Sequence, residues 1–440
     1  MSAMKKTAKS SLLVTSATLF SLSLTATAIA TGPAVADGTP TPSQKASPKA
    51  STSPTATPPA DMSTVGGAQL GKAGTQVNLG SGAPVLPKDL SARSWVVADA
   101  ESGDVLAAHN AHWRLAPAST LKMLFADALL PKFSQREEKH KVVPSDLAGI
   151  GPGSSVVGIK EDETYTVKDL WLGVFLASGN DAVRVLSAMN GGVDQTVQDM
   201  NAHAEELQAL DTHVVSPDGY DEVGQVSSAY DLTLIARSGL QKKDFREYSS
   251  TVRAKFPGET KKNKKGKTTR TSFEIQNTNR LLTGDYGLDV YKGIAGVKNG
   301  NTTNAGSTFT GVAERDGKVL LVTVMNPEKE EANEVYKETA RLLDWGFQAA
   351  DKVEPVGELV PPKSADTGTG AQPDAEASGE AGGSSGDGSP VAASAQEPGS
   401  GGVGVALGIT GGVLVLLAGG AFLVNRRWPL PDLVRRRPRR

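Results

Sequence analysis

Two long stretches that cannot build a core, residues 37–84 and 353–402, confine the folded body of this 440-residue chain to the segment between them. The first contains TPTPSQKASPKASTSPTATPPA; the second is dominated by Gly, Ser and Ala. Both hold too few large apolar side chains to offset the entropy lost on ordering, so both are expected to be spacers without fixed structure. Residues 85–352 carry the periodic apolar pattern and nearly all the aromatics, a length suited to one domain. The chain has no cysteine, which excludes disulfides, thiol catalysis and cysteine metal sites and leaves stability to that core.

The two ends have a different character. Residues 1–36 set Lys5, Lys6 and Lys9 before an apolar run and then small residues, the layout of a secretory signal cut after Ala30 or Ala36. Residues 403–424 are uncharged and would rise about 33 Å as a helix, enough to span a bilayer. Seven arginines in residues 425–440 follow at once, which puts this tail in the cytoplasm and everything before the span outside. With the three leader lysines and the seven tail arginines set aside, 36 basic residues face 47 acidic ones outside. Such an acidic exterior argues against a nucleic-acid partner.

Within the central segment, SWVVADAESGDVLAAHN alternates about a turn and reads as a hairpin. Helices are expected over 119–130, 166–177, 181–189, 193–210, 227–240 and 331–350, and a second hairpin over GSTFTGVAERDGKVLLVTVMN. Strands near both ends with helices between imply an α+β fold: one antiparallel sheet assembled from distant segments and flanked by helices, with a mainly helical part.

Three short pieces carry chemistry. Ser119 and Lys122 lie three apart at a helix start, so the lysine amine can reach the serine hydroxyl. A serine becomes a nucleophile when a nearby base takes its proton, and a desolvated lysine can serve as that base. Ser178-Gly179-Asn180 ends a very apolar helix, where polar side chains sit at a cavity mouth; a simple helix stop and restart is the plainer reading. Lys298-Asn299-Gly300 lies in a glycine-rich stretch but lacks the spacing of a phosphate loop. Taken singly, each is ordinary.

In this order they resemble the Ser-x-x-Lys, Ser-x-Asn and Lys-Thr/Ser-Gly set of penicillin-recognising serine enzymes. YTVKDLWLGVFLASGNDA, SPDGYD, SSAYDLTLIAR, NTNRLL and GVKNGNTTNAG extend the likeness across most of the segment to the serine-type D-alanyl-D-alanine carboxypeptidases, the low-molecular-mass penicillin-binding proteins. The resemblance implies a β-lactamase/transpeptidase-like fold, Ser119 as nucleophile, Lys122 as its base and Ser178 as proton relay. It also implies Asn180, Lys298, Asn299, Gly300, Asn301 and Thr302 as substrate contacts, with the Ser119 and Asn301 N–H groups as the oxyanion hole. Lys298 is expected to keep Lys122 neutral by like-charge repulsion. The implied partners are peptidoglycan stem peptides and, as covalent inhibitors, β-lactams, at a bacterial plasma membrane. Asn299 departs from the usual Thr or Ser; Thr302 lies close enough in sequence to supply a hydroxyl.

A serine β-lactamase would share the three motifs, but the Glu-x-x-Leu-Asn pattern of class A lactamases is missing from the sequence. A non-catalytic wall-binding scaffold of the same fold is a third reading. None of the five histidines sits in a Ser-His-Asp context; His109 and His112 read as surface residues and not a metal pair, and no metal or cofactor is expected. RAKFPGETKKNKKGKTTR (253–270) has eight basic residues and one acidic one; it reads as a solvated, mobile loop, with contact to anionic wall polymers or lipid headgroups as the sharper hypothesis.

Overall fold

The computed structural model describes residues 57–366. The expected signal, the membrane span and the arginine tail lie outside these residues. Among the described residues no helix is long and apolar enough to cross a membrane.

In chain order the elements are β1 (Thr75–Leu79), β2 (Ala92–Asp99), β3 (Asp104–His109), a 3₁₀ turn at Ala118–Leu121 and α1 (Lys122–Leu129). Then come β4 (Lys139–Lys141), β5 (Thr164–Thr166), α2 (Val167–Leu176), α3 (Asn180–Met189) and α4 (Val193–Glu206). These are followed by α5 (Ala229–Gln241), α6 (Lys243–Ser250), β6 (Arg253–Lys262), β7 (Thr268–Gln276) and α7 (Arg280–Thr283). The remainder is β8 (Ile294–Thr302), β9 (Gly306–Arg315), β10 (Lys318–Pro327), α8 (Glu334–Ala349), β11 (Val353–Glu354) and β12 (Gly357–Glu358). The main sheet is antiparallel in the order β11-β1-β3-β2-β10-β9-β8, with β12 pairing β3.

The expected fold class is the one observed, and the sequence of the central strands explains how. β2 and β10 are buried on both faces, so they read as near-continuous apolar runs. Alternate side chains then serve different cores. Trp95, Val97, Leu320, Val322 and Val324 pack with Leu342, Leu343 and Trp345 of α8. Val96, Ala98, Leu321 and Met325 face the other way, into a core built by α1, α2 and α5 with Leu124, Trp171 and Ile235. Fully burying a side chain of this size contributes about 1.5–3 kcal/mol. The main helical body is therefore fixed to one sheet face, and β8 is left as an edge strand beside the 3₁₀ turn.

Four expectations are corrected here. Residues 57–84 are not wholly spacer: β1 pairs with β3 and β11, and Leu70 is buried in the main core. Residues 353–366 likewise belong to the fold, with Val356 and Leu359 buried and Glu358 N donating to Gly66 O at 2.8 Å. A few anchors per segment suffice to dock backbone that a composition average calls featureless. The third correction is 253–270, most of which forms the two-stranded β6–β7 hairpin. Its tip closes through Asn263 Oδ1, which accepts from the Lys265 and Lys267 amides at 2.9 and 3.0 Å. His112 is also not a surface residue: it is buried, with Nδ1 2.7 Å from Asp211 and Nε2 3.0 Å from Val65 O.

Candidate active site

The turn before α1 is held open-jawed by its neighbours. Ala118 has φ +50°, a left-handed conformation that an L-residue adopts at roughly 1–2 kcal/mol. The Pro117 carbonyl accepts from Thr120 Oγ1 at 2.5 Å and from Thr308 Oγ1 of β9 at 2.9 Å. Gly219 packs on the far side at φ +81°; a Cβ there would fall 2.1 Å from Ala118 O. Gly300 of β8 is equally confined, since its Cβ would lie 2.7 Å from Ser119 N and 2.8 Å from Ala118 Cβ. Two glycines thus let a loop and an edge strand close on the Ser119 backbone. This explains Gly300: without a side chain there, β8 can close against the Ser119 N–H.

Lys122, 1% exposed, places Nζ 2.8 Å from Ser119 Oγ and donates to Asp218 O at 2.5 Å. Burial pushes its ammonium down to about 8, opposed by the carboxylates of Asp218 and Asp181. Lys298, also 1% exposed, donates to Asn299 O at 2.8 Å and is pushed well below the usual lysine range, first by burial and then by Lys122. The pocket therefore disfavours two positive charges. Asp218 and Asp181 favour the charged form of Lys122, and Lys122 disfavours the charged form of Lys298. The expectation from the sequence weighed the repulsion between the two lysines and omitted these carboxylates.

α2 stops at Leu176, and Ser178 takes φ +56° with its Oγ buried and without a hydrogen-bond partner. Gly179 is needed here because a Cβ would stand 2.7 Å from Asp181 Oδ1. Asp181 in turn accepts from the backbone amides of Val157, Gly158 and Ile159 at 2.8–2.9 Å, pinning that loop to the start of α3. Asn180 Nδ2 donates to Ser154 Oγ at 3.0 Å, while its Oδ1 is buried and unpartnered. Two buried polar atoms without partners, at adjoining motif residues, are ready to receive a ligand's donors.

An open cleft of about 320 Å³ is lined by Ser119, Asn180, Asp218, Asp221, Asn301 and Thr302, with residues 152–155 as one wall. The structure thus gathers most of the sequence-derived residues, though not all in the expected posture. Among the described residues Ser178 makes no hydrogen bond to Ser119 or Lys298. Asn299 turns its Oδ1 to Thr278 Oγ1 at 2.9 Å and to Lys298 Nζ at 3.3 Å, so it steadies the lysine. Asn301 Nδ2 donates to Ser307. The Thr302 hydroxyl is spent on Asp221 at 2.7 Å.

Sequence reasoning missed Asp181, Ser154, Thr278 and the Asp218–Asp221 loop as parts of the site. The Asp-Gly of SPDGYD was a visible turn signal; its carbonyl contact to Lys122 was not visible. His112, Asp211 and Asp231 could together offer ligand atoms within 4.8 Å of one another. Asp231 is instead engaged by Asp211 N and Thr212 Oγ1, and burial, reinforced by Asp211, pushes its carboxyl up to about 7.

Comparison with known proteins agrees with this geometry. The D-alanyl-D-alanine carboxypeptidase family, peptidase S11, matches over residues 81–329. D-alanyl-D-alanine carboxypeptidase DacB2 of Mycobacterium tuberculosis is 34% identical over 275 residues, which is 62% of this chain and 87% of that protein. DacD of Escherichia coli, a D-alanyl-D-alanine carboxypeptidase, is 30% identical over 275 residues; the match takes in 60% of this chain and 64% of DacD. The crystal structure of a D-alanyl-D-alanine carboxypeptidase from Mycobacterium tuberculosis H37Rv superposes with a TM-score of 0.56 at 33% identity, covering 64% of this chain and 99% of that one. With the buried lysine, the serine it reaches and the family match in agreement, the chain belongs to the serine-type D-alanyl-D-alanine carboxypeptidase family of hydrolases.

Proposed function

We propose that this carboxypeptidase trims the terminal D-alanine from peptidoglycan stem peptides through an acyl-enzyme on Ser119, on the outer face of a bacterial plasma membrane. The observation that carries the reading is the 2.8 Å approach of the buried Lys122 amine to the Ser119 hydroxyl lining the cleft.

Ser119 Oγ attacks the carbonyl carbon between the two D-alanines as its proton passes to Lys122 Nζ. The oxyanion accepts from the Ser119 and Asn301 N–H groups, fixed donors that need no reorganisation. The C–N bond then breaks, the leaving amine takes a proton by way of Ser178 and Lys298, and D-alanine departs from an ester on Ser119. Water adds to that ester and restores the hydroxyl. Asn180 Oδ1 accepts from a substrate amide, and Lys298, beside Asn299 and Gly300, attracts the terminal carboxylate. That carboxylate favours positive charge on Lys298, and the repulsion between the two amines then favours Lys122 as the neutral base. A β-lactam would be caught as a stable ester on the same oxygen.

Mass spectrometry after incubation with a D-Ala-D-Ala-terminated muropeptide tests the reading, with loss of one alanine as the expected result. Turnover of a β-lactam in preference to the peptide would favour a lactamase, and turnover of neither would favour a scaffold.

Anchoring by residues 403–424 is supported by their apolar run and the arginines behind it. The full chain should resist high-salt extraction from membranes, and a chain ending at residue 402 should appear in the soluble fraction. Release of the full chain by salt alone would refute the anchor.

The tip of the β6–β7 hairpin suits an anionic wall polymer. Lys262, Lys264, Lys265 and Lys267 are exposed, and none has a carboxylate within salt-bridge distance among the described residues. Replacing all four with glutamine should reduce binding to isolated cell walls at low ionic strength several-fold. Unchanged attachment would leave the hairpin as a solvated face.

A further inference from the structure

We propose that Asp221 is a specificity-determining residue that reads a cationic side chain on the substrate residue immediately preceding the D-Ala-D-Ala pair. The inference rests on the carboxypeptidase reading above and deepens it. The cleft is lined by two carboxyl-bearing residues, Asp218 and Asp221. Asp218 is 1% exposed and spoken for: Oδ1 accepts from Ser216 Oγ at 2.8 Å and Tyr220 N at 3.0 Å, and Oδ2 faces Arg184 at 3.6 Å. Asp221 is half-buried and accepts from Thr302 Oγ1 at 2.7 Å and Asn304 N at 3.0 Å. No described lysine, arginine or histidine lies within salt-bridge distance of it. Its negative charge is held in place by two neutral donors and is left uncompensated at the cleft wall.

The direction of β8 says which part of a substrate meets it. A peptide whose terminal carboxylate lies by Lys298 and Asn299 and whose reacting carbonyl lies at Ser119 and the Asn301 amide runs on past Thr302. Successive residues advance about 3.3 Å along an edge strand, so the residue before the D-Ala-D-Ala pair reaches the Thr302–Asn304 turn that Asp221 holds. There the cleft shares Gly219, Tyr220 and Asp221 with a second cavity of about 200 Å³. That cavity also has Glu222 on its wall, and its cation, Arg114, is tied by Nε to Asp211 O at 3.1 Å. A long side chain ending in a primary amine would place its charge against Asp221 with room beyond.

The test compares two peptides, Nα-acetyl-L-lysyl-D-alanyl-D-alanine and the same peptide with the side-chain amine acetylated. The unmutated enzyme should favour the free amine about tenfold in kcat/KM, the size expected of one charge-assisted contact. In Asp221→Asn that ratio should fall to about one, and Asp221→Glu should restore part of it. If Asp221 served only to brace the turn, its loss would slow both peptides in proportion and leave the ratio unchanged. A ratio of one in the unmutated enzyme, or a ratio that survives in Asp221→Asn, overturns the inference while leaving the carboxypeptidase reading intact. Turnover of neither peptide by the unmutated enzyme overturns both.

Discussion

Replacing Ser119 with alanine is expected to lower D-alanine release by about 10⁴-fold or more, because the variant keeps the cleft and the oxyanion donors and loses the atom that forms the ester. Labelling by a reporter penicillin should vanish in step, since both reactions use one oxygen. The folded state should survive: Ser119 is half-buried, and Lys122 retains its bond to Asp218 O. An intact thermal transition with no ester adduct in the intact-mass spectrum is the expected pair of observations. Labelling that persisted without Ser119 would sink the nucleophile assignment, whatever the residual peptide turnover.

The site was legible in the sequence to the extent that its chemistry is local. Ser119 and Lys122 meet because one helical turn separates them, a relation that spacing alone encodes. Ser178 and Asn180 follow from a helix break that glycine makes visible. What holds these pieces together comes from distant segments: the Asp218 carbonyl on Lys122, Thr278 on Asn299, Asp221 on Thr302. No periodicity links residue 122 to residue 218, and backbone acceptors leave no signature in side-chain identity. The same limit applies to the fold. The two central hairpins and most long helices are written in alternation and helical period, whereas β1, β11 and β12 are short strands held through a few nearby buried residues such as Leu70 and Leu359. The β6–β7 hairpin was hidden by its own charge: nearly every side chain along it is exposed, with Phe256 and Ile275 the buried exceptions.

Lys122→Met should separate catalysis from stability, moving them in opposite directions. Acylation should fall about 10³-fold, within the range for losing a positioned general base. Lys122→Arg should be no better, because a guanidinium keeps the charge and cannot accept the proton. In the unmutated enzyme the reactive form is the neutral amine, so kcat/KM should rise as pH climbs through about 8 and level off above it. A profile flat across that value would remove Lys122 from the role of base. Stability carries the opposite sign. A lysine brought from its ordinary 10.5 to about 8 on folding opposes folding by roughly 3 kcal/mol at pH 7. That burden is complete below the folded value of about 8, shrinks as pH rises towards 10.5 and is gone above it. Methionine keeps most of the volume and removes the buried charge, so the variant should be more stable than the parent at pH 7, less the loss of the Asp218 hydrogen bond. The advantage should fade as pH rises from 8 to 10.5. Lys298 moves too, because removing Lys122 lifts the repulsion that lowers its own proton affinity. An inactive variant that gains stability at pH 7, and gains less at pH 10, would show that the enzyme gives up folding free energy to hold an amine ready beside Ser119.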